Sequence, residues 1–215
     1  MKKLLFLFGT LLGITACAQD STTFFNPRKI ALGVSMQHLF INGLRLELEI
    51  PVTSQSTFLL NPIYYLSDGK NRTVQSYKND AVEGFGIEIM RKNYLWQKVR
   101  PKRFLHERFY VGYGVGYHRI QVSYNELNWV KRNSFYYIEN KRFHETVHRG
   151  DIFGALGLRY EWCDRLFADI SLGPCIRRAF FKHEQLIYLR EYKSMTDYHY
   201  SGITLRLLGT IGVRF

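Results

Sequence analysis

The sequence predicts an all-β chain folded as a single eight-stranded antiparallel up-and-down barrel that spans a membrane. Three observations predict it. Apolar and polar residues alternate with a period of two through eight separate segments, as strands with one dry and one wet face require. The face that carries the charges also carries the glycines, whereas the opposite face is an unbroken apolar surface, the reverse of a soluble barrel. The connections alternate between short and long, with the third, fifth and seventh long, as in barrels whose turns lie on one side of a bilayer and whose loops lie on the other. Mean hydropathy is −0.21, and no apolar run is long enough for a transmembrane helix, which needs about 20 residues. A barrel escapes hydropathy because half of every strand faces inward.

The strands follow in order. Strand one runs from about Lys29 to Phe40, with Ile30, Leu32, Val34 and Met36 outward and Ala31, Gly33, Ser35 and Gln37 inward. Ile41-Asn42-Gly43 is expected to reverse the chain, since Asn-Gly tolerates positive φ. Strand two, Leu44 to Ile50, alternates without a fault: Leu44, Leu46, Leu48 and Ile50 against Arg45, Glu47 and Glu49. Strand three, about Thr57 to Leu66, alternates less cleanly, and strand four, Gly84 to Lys92, sets Phe85, Ile87 and Ile89 against Gly86, Glu88 and Met90. Strand five, Phe109 to Arg119, turns Phe109, Val111, Tyr113, Val115 and Tyr117 outward and Tyr110, Gly112, Gly114, Gly116 and His118 inward. The three glycines leave space inside. Strand six, about Asp151 to Trp162, and strand seven, about Leu166 to Arg177, flank a tight Cys163-Asp164-Arg165 turn. Strand eight is Ile203 to Phe215. The long connections are about Ser67 to Glu83, Gln121 to Gly150 and Arg178 to Tyr198; the fourth, Asn93 to His106, is longer than a turn-side connection usually is.

Lys2 and Lys3 before the apolar run Leu4 to Leu12 read as a secretory signal peptide over residues 1–18, leaving one domain over 19–215. Ala16-x-Ala18 suits signal peptidase, with Gln19 then first. Ile14-Thr15-Ala16-Cys17 also fits a lipobox with Cys17 as lipid acceptor. Simple cleavage is the expected route, because strands already anchor a barrel.

Phe215 closes an alternating strand on an aromatic, which resembles the closing strand of Gram-negative outer-membrane barrels, and the mature chain is similar in architecture to the small OmpX/OmpA-type barrels. The resemblance implies export through the Sec pathway to the outer membrane. It also implies that Ile211, Val213 and Phe215 form the signal read by the barrel-assembly machinery. Trp96, Phe109, Tyr160, Trp162 and Phe215 fall near the expected periplasmic rim, as an interfacial girdle does.

The inward faces then carry Arg45, Arg159, Arg177, Arg206 and Arg214 against Glu47, Glu49, Glu88, Asp151, Glu161 and Asp169. Eight strands leave an interior just wide enough for side chains, so these groups are expected to pair and plug the barrel rather than line a wide pore. Of 30 basic and 18 acidic residues, two lysines leave with the leader, and 28 against 18 remain. Six cations lie between Arg91 and Arg103 (Arg91, Lys92, Lys98, Arg100, Lys102, Arg103), read as a solvated periplasmic turn facing lipid phosphates or docking an acidic periplasmic partner. Lys131, Arg132, Lys141, Arg142, Arg149, Lys182, Arg190 and Lys193 make the outer loops basic. Outer-membrane lipids and lipopolysaccharide are therefore expected partners, with a surface protein the alternative. Export removes nucleic acid from consideration, and no groove-reading motif is present.

No cofactor is expected, and no metal: His144 and His148 have an i, i+4 spacing that makes a ligand pair only on a helix. Cys163 and Cys175 lie about 30 Å apart along a strand, too far for a disulfide. No catalytic set stands out. His118, Ser123 and Glu126 are the residues that would supply base, nucleophile and orienter in a lipid A-modifying enzyme. The leading expectation is a non-enzymatic envelope protein acting through aromatic, basic outer loops (Tyr124, Trp129, Phe135, Tyr136, Tyr137, Phe180, Phe181, Tyr188, Tyr192), with that enzyme or a narrow channel as alternatives.

Overall fold

The computed structural model describes residues 29–41, 43–67, 81–100, 105–132, 135–162, 165–181, 198 and 200–215. The signal segment with Cys17, the loop residues 182–197 and Cys163 lie outside them. In chain order the described elements are β1 (Ala31–Ser35), α1 (Met36–Ile41), β2 (Gly43–Pro51), β3 (Ser56–Ser67), β4 (Ala81–Arg100), β5 (Leu105–Arg132), β6 (Phe135–Trp162), β7 (Leu166–Phe181) and β8 (Gly202–Arg214). The eight strands form a closed barrel in sequence order, every neighbour antiparallel. Closure runs through β1 and β8, from Ala31↔Arg214 to Ser35↔Thr210, and the Phe215 N–H donates to the Ile30 carbonyl at 2.9 Å.

The period of two decides which side meets lipid. On β2 Arg45, Glu47 and Glu49 are buried, and on β8 Thr204, Thr210 and Arg214 are buried, while Leu205, Leu207 and Ile211 are exposed. Tyr113, Val115 and Tyr117 on β5 face out opposite buried Tyr110 and His118. Because the strands run continuously around the ring, backbone groups in the paired stretches are satisfied internally, the condition for crossing a bilayer.

Four differences from the sequence expectation have physical causes. Strand one does not reach Phe40: it stops at Ser35 and the chain coils into α1. The β1–β2 register, Val34↔Leu46, runs out at Gly43, so a strand prolonged past Gln37 would have no β2 partner. Asn42 of the expected turn lies outside the described residues; Gly43 takes φ 150°, where a Cβ would strike the Tyr64 carbonyl. Second, the fourth connection is mostly strand, since β4 continues to Arg100 and β5 starts at Leu105. A bulge between Tyr94 and Trp96 breaks the parity, leaving Leu95 and Trp96 both exposed, which hides the strand from a period-two reading. Third, the fifth connection is not a loop: β5 and β6 stay paired out to Arg132↔Phe135. Fourth, two cations assigned to solvent lie inside the barrel, Lys92 at 2% and Arg149 at 6% exposure.

The space beside the glycines of β5 is filled. A Cβ at Gly112 would meet the Met90 methyl, at Gly114 the Ile89 carbonyl and the Phe153 ring, and at Gly116 the Glu88 side chain. The inward apolar side chains form two clusters, one set between the charges and one beyond them. Leu59, Met90, Tyr94, Tyr110, Phe153 and Cys175 form one. Ile63, Tyr65, Val82, Ile120, Val122, Val147 and Ala179, with Tyr198 packed on them, form the other, at the end that carries the long connections.

Candidate functional site

Alternation on β2, β4, β6, β7 and β8 delivers ionic side chains from the whole ring to one axis, where they form two tiers. In the tier near the short turns, Glu49 accepts hydrogen bonds from the Arg159 guanidinium and from Tyr94 Oη, the latter at 3.0 Å. Arg159 Nε lies 2.7 Å from Glu161 Oε1, and Arg214 Nη1 donates to Glu161 Oε2 at 3.0 Å. Lys92 Nζ and Tyr110 Oη both donate to Asp169, at 2.7 and 2.6 Å. Cations also lie on ring faces: Arg108 3.5 Å from the Tyr94 centroid and Arg159 3.9 Å from that of Phe167. Lys92 and Arg108 belong to this tier, and neither is among the inward charges expected from the sequence. Lys92 shares the inward parity of Gly86, Glu88 and Met90, so alternation alone was enough to place it.

In the second tier Arg45 and Arg206 converge on Glu88 Oε2 at 2.9 and 2.6 Å, and Thr210 donates to Glu47 at 2.8 Å. Asp151 sits 3.4 Å from both Arg149 Nε and Arg177 Nε. His118 faces Asp151 and Glu88 through Nε2, at 3.3 and 3.8 Å, while its Nδ1 is 2.9 Å from Tyr65 Oη, which accepts a bond from Arg149. The donor atoms of Glu88, His118 and Asp151 lie within 4.8 Å of one another, a spacing that would suit a cation. Both carboxylates are already committed to guanidiniums, Glu88 to two and Asp151 to two. A divalent ion placed between them would face four positive charges in a low-dielectric interior, so the trio is a hydrogen-bonded polar core and a poor metal centre.

The remaining candidates separate. His118 points into the lumen, whereas Ser123, five positions along the same strand, has the opposite parity and meets His144 Nδ1 at 2.7 Å. The Glu126 side chain lies outside the described residues. His144 and His148 share an outward strand face about 13 Å apart, too distant for one ion, and His148 Nδ1 meets Tyr117 Oη at 2.7 Å. Cys175 is buried with a free thiol. Ile211 and Phe215 are exposed on the outer surface of the ring.

A closed ring with an apolar exterior and an ionic, packed interior has only one compatible solvent, a bilayer, and its strand-borne crossing is of the outer-membrane type. The protein is an outer-membrane β-barrel. No family model matches the chain, and no curated protein matches it. Among solved structures the barrel is similar to the N-terminal β-barrel domain of Pseudomonas aeruginosa OprF, at 14% identity and a TM-score of 0.41 over 87% of this chain and 98% of that one. It is also similar to Acinetobacter baumannii CarO, at 11% identity and a TM-score of 0.31 over 90% of this chain and 99% of that one. For CarO2 of the same organism the values are 9% and 0.33, over 87% and 97%.

The barrel also carries a site that stands outside the ring. Among the described residues the pairing of β4 with β5 ends at Ala81↔Ser123, and that of β7 with β6 at Val147↔Phe181. Beyond those rungs β5 and β6 pair only with each other among the described residues, as far as Arg132↔Phe135. At roughly 3.3 Å per residue this two-stranded ribbon extends about 30 Å beyond the described end of β4. Phe135, Tyr136, Tyr137 and Ile138 are all exposed on it, at 67, 64, 54 and 56%. Its charges are of both signs, with Lys131, Arg132, Lys141 and Arg142 against Glu126 and Glu139, and the Arg149 expected among the loop cations belongs to the lumen.

Proposed function

We propose that this barrel is a non-enzymatic surface-interaction protein of the envelope, with the β5–β6 ribbon as its working part. The single observation that carries the reading is the run of four large apolar side chains held in water on a hydrogen-bonded ladder; consecutive exposed aromatics mark a contact surface. Aromatic contact, more than net charge, is the chemistry on offer, and lipopolysaccharide sugars and phosphates or a protein surface beyond the membrane are its partners. The lumen argues against the channel alternative: Glu49, Lys92, Arg159 and Glu161 are buried and mutually bonded across the axis. The split of His118 from Ser123 argues against the enzyme. Ile211, Val213 and Phe215 remain our proposed contact for the assembly machinery.

The test replaces 124–143 by a short turn and measures binding of the reconstituted barrel to vesicles containing purified lipopolysaccharide and to cells bearing it. Binding is expected to collapse while the heat-modifiable gel mobility of the folded barrel persists. Equal binding by parent and shortened protein in both assays would sink the proposal.

A further inference from the structure

The outward surface of the barrel carries cations of its own, gathered in one sector. From Phe109 to Tyr117 on β5, Ile152 to Trp162 on β6 and Leu166 to Ile176 on β7, every outward position is uncharged. The row then ends on Arg119, His148 and Arg178, all exposed. The register sets Arg119 opposite His148 and Arg178 opposite Gly150, so the three lie together across three adjacent strands. On the other wall β2, β3 and β8 end their outward rows on Leu44, Leu66 and Ile203, without a charge. Among the described residues the nearest outward carboxylate in register is Glu83, on the far side of Arg119 from His148 and one outward position beyond Phe85.

Depth and shape both suit a lipid headgroup. From Trp162 to Gly150 is about 40 Å of strand, or about 30 Å of height at a tilt of about 40°. An outer-membrane apolar band is about 25 Å tall, so with Trp162 in the turn-side girdle the cluster stands among the headgroups of the outer leaflet. At Gly150 an added Cβ would meet nothing within 4 Å, which leaves the wall dished between His148 and Ile152, beside Arg178. The Arg178 guanidinium carbon is 5.7 Å from the Phe180 centroid, and Phe180 is the partner of His148, so this contact draws the charge toward the imidazole. Tyr117 Oη holds His148 Nδ1 at 2.7 Å and leaves Nε2 for an outside partner. Two strand spacings and an offset of two residues put the Arg119 and Arg178 Cα atoms about 12 Å apart, a gap that two arginine side chains close around one phosphate.

We propose that this hollow binds the phosphomonoester of a glycolipid in the barrel's own outer leaflet, the headgroup chemistry of lipid A. A phosphomonoester offers three acceptor oxygens and close to two charges, which suits two guanidiniums with no carboxylate between them, and Arg binds such groups through paired N–H donors. The acyl chains would run down the apolar wall beneath, over Val115, Ile152 and Ile176. The ribbon reaches away from the membrane, whereas this hollow faces lipid sideways, so the proposal is independent of the ribbon's role.

The test sets the barrel in phosphatidylcholine nanodiscs doped with lipid A, releases it into mild detergent and counts retained lipid by native mass spectrometry. The parent is expected to keep lipid A at least tenfold better than lipid A stripped of its phosphates. Arg119→Gln and Arg178→Gln should each lower retention about tenfold. Gly150→Leu, which fills the hollow and leaves every charge in place, should lower it too. Heat-modifiable mobility confirms that each variant is folded. The barrel with 124–143 replaced by a short turn should keep lipid A as the parent does; loss there would hand the binding to the ribbon and overturn the site. Equal retention by the parent and the double arginine variant, or of lipid A and phosphatidylglycerol, would overturn it as well.

Discussion

The two ends of the lumen solve the same filling problem with opposite chemistry. Toward the short turns, the axis is filled by Glu49, Arg159, Glu161, Lys92 and Asp169 in mutual contact. Toward the long connections it is filled by Ile63, Val82, Ile120, Val122 and Val147, with Tyr65 forming the boundary through its bonds to His118 and Arg149. The comparison teaches that a membrane barrel need not have a uniformly polar inside. What the ring demands is that the interior be filled and its polar atoms paired. Each ion of the first region depends on several others, whereas each aliphatic of the second depends only on volume.

Substitutions that break this contrast should differ in size. Arg159→Met leaves Glu49 and Glu161 without their shared cation and should cost about 4 kcal/mol in urea unfolding from lipid vesicles, the penalty of stranding buried charge. Adding Glu49→Gln should restore part of it, since the two sites are coupled. Ile120→Ala, at a position with no exposure, removes volume alone and should cost about 3 kcal/mol. If Arg159→Met proves the milder of the two, the ionic tier is not the more interdependent. Gly114→Ala drives a methyl against the Ile89 carbonyl and to 2.7 Å from the Phe153 ring, and should cost about 2 kcal/mol by overpacking. Tyr136→Ser on the ribbon should change unfolding by no more than about 0.5 kcal/mol while weakening lipopolysaccharide binding.

The ring was legible wherever contrast between neighbouring residues was high. Leu44 through Ile50 alternates without a fault, and Arg45, Glu47 and Glu49 point inward as that alternation requires. Contrast fails in three places. Strand three read poorly because its inward side mixes apolar residues with polar ones, Leu59, Ile63 and Tyr65 being buried beside Thr57 and Asn61. The ribbon beyond Ser123 has water on both faces, so nothing selects apolar residues on one of them, and a two-strand ladder there looks like a loop. Around Trp96 a single inserted residue reverses the parity. α1 was illegible for a different cause: Met36 to Phe40 alternates well enough for a strand, but the β2 register leaves it without a second neighbour. The ionic tiers were largely written in parity, and Lys92 and Arg149 were obscured only because they stand beside loop-like cations.

Joining β1 to β8 has a consequence for how the molecule comes into being. Ala31 and Arg214 are partners, so the last ladder unites segments separated by nearly the whole described chain, and every other hairpin can form locally before it. The entropy of that final encounter is the steepest in the molecule. Until it happens two raw sheet edges stand open, and a cell that makes this chain must shield them from other chains during the interval.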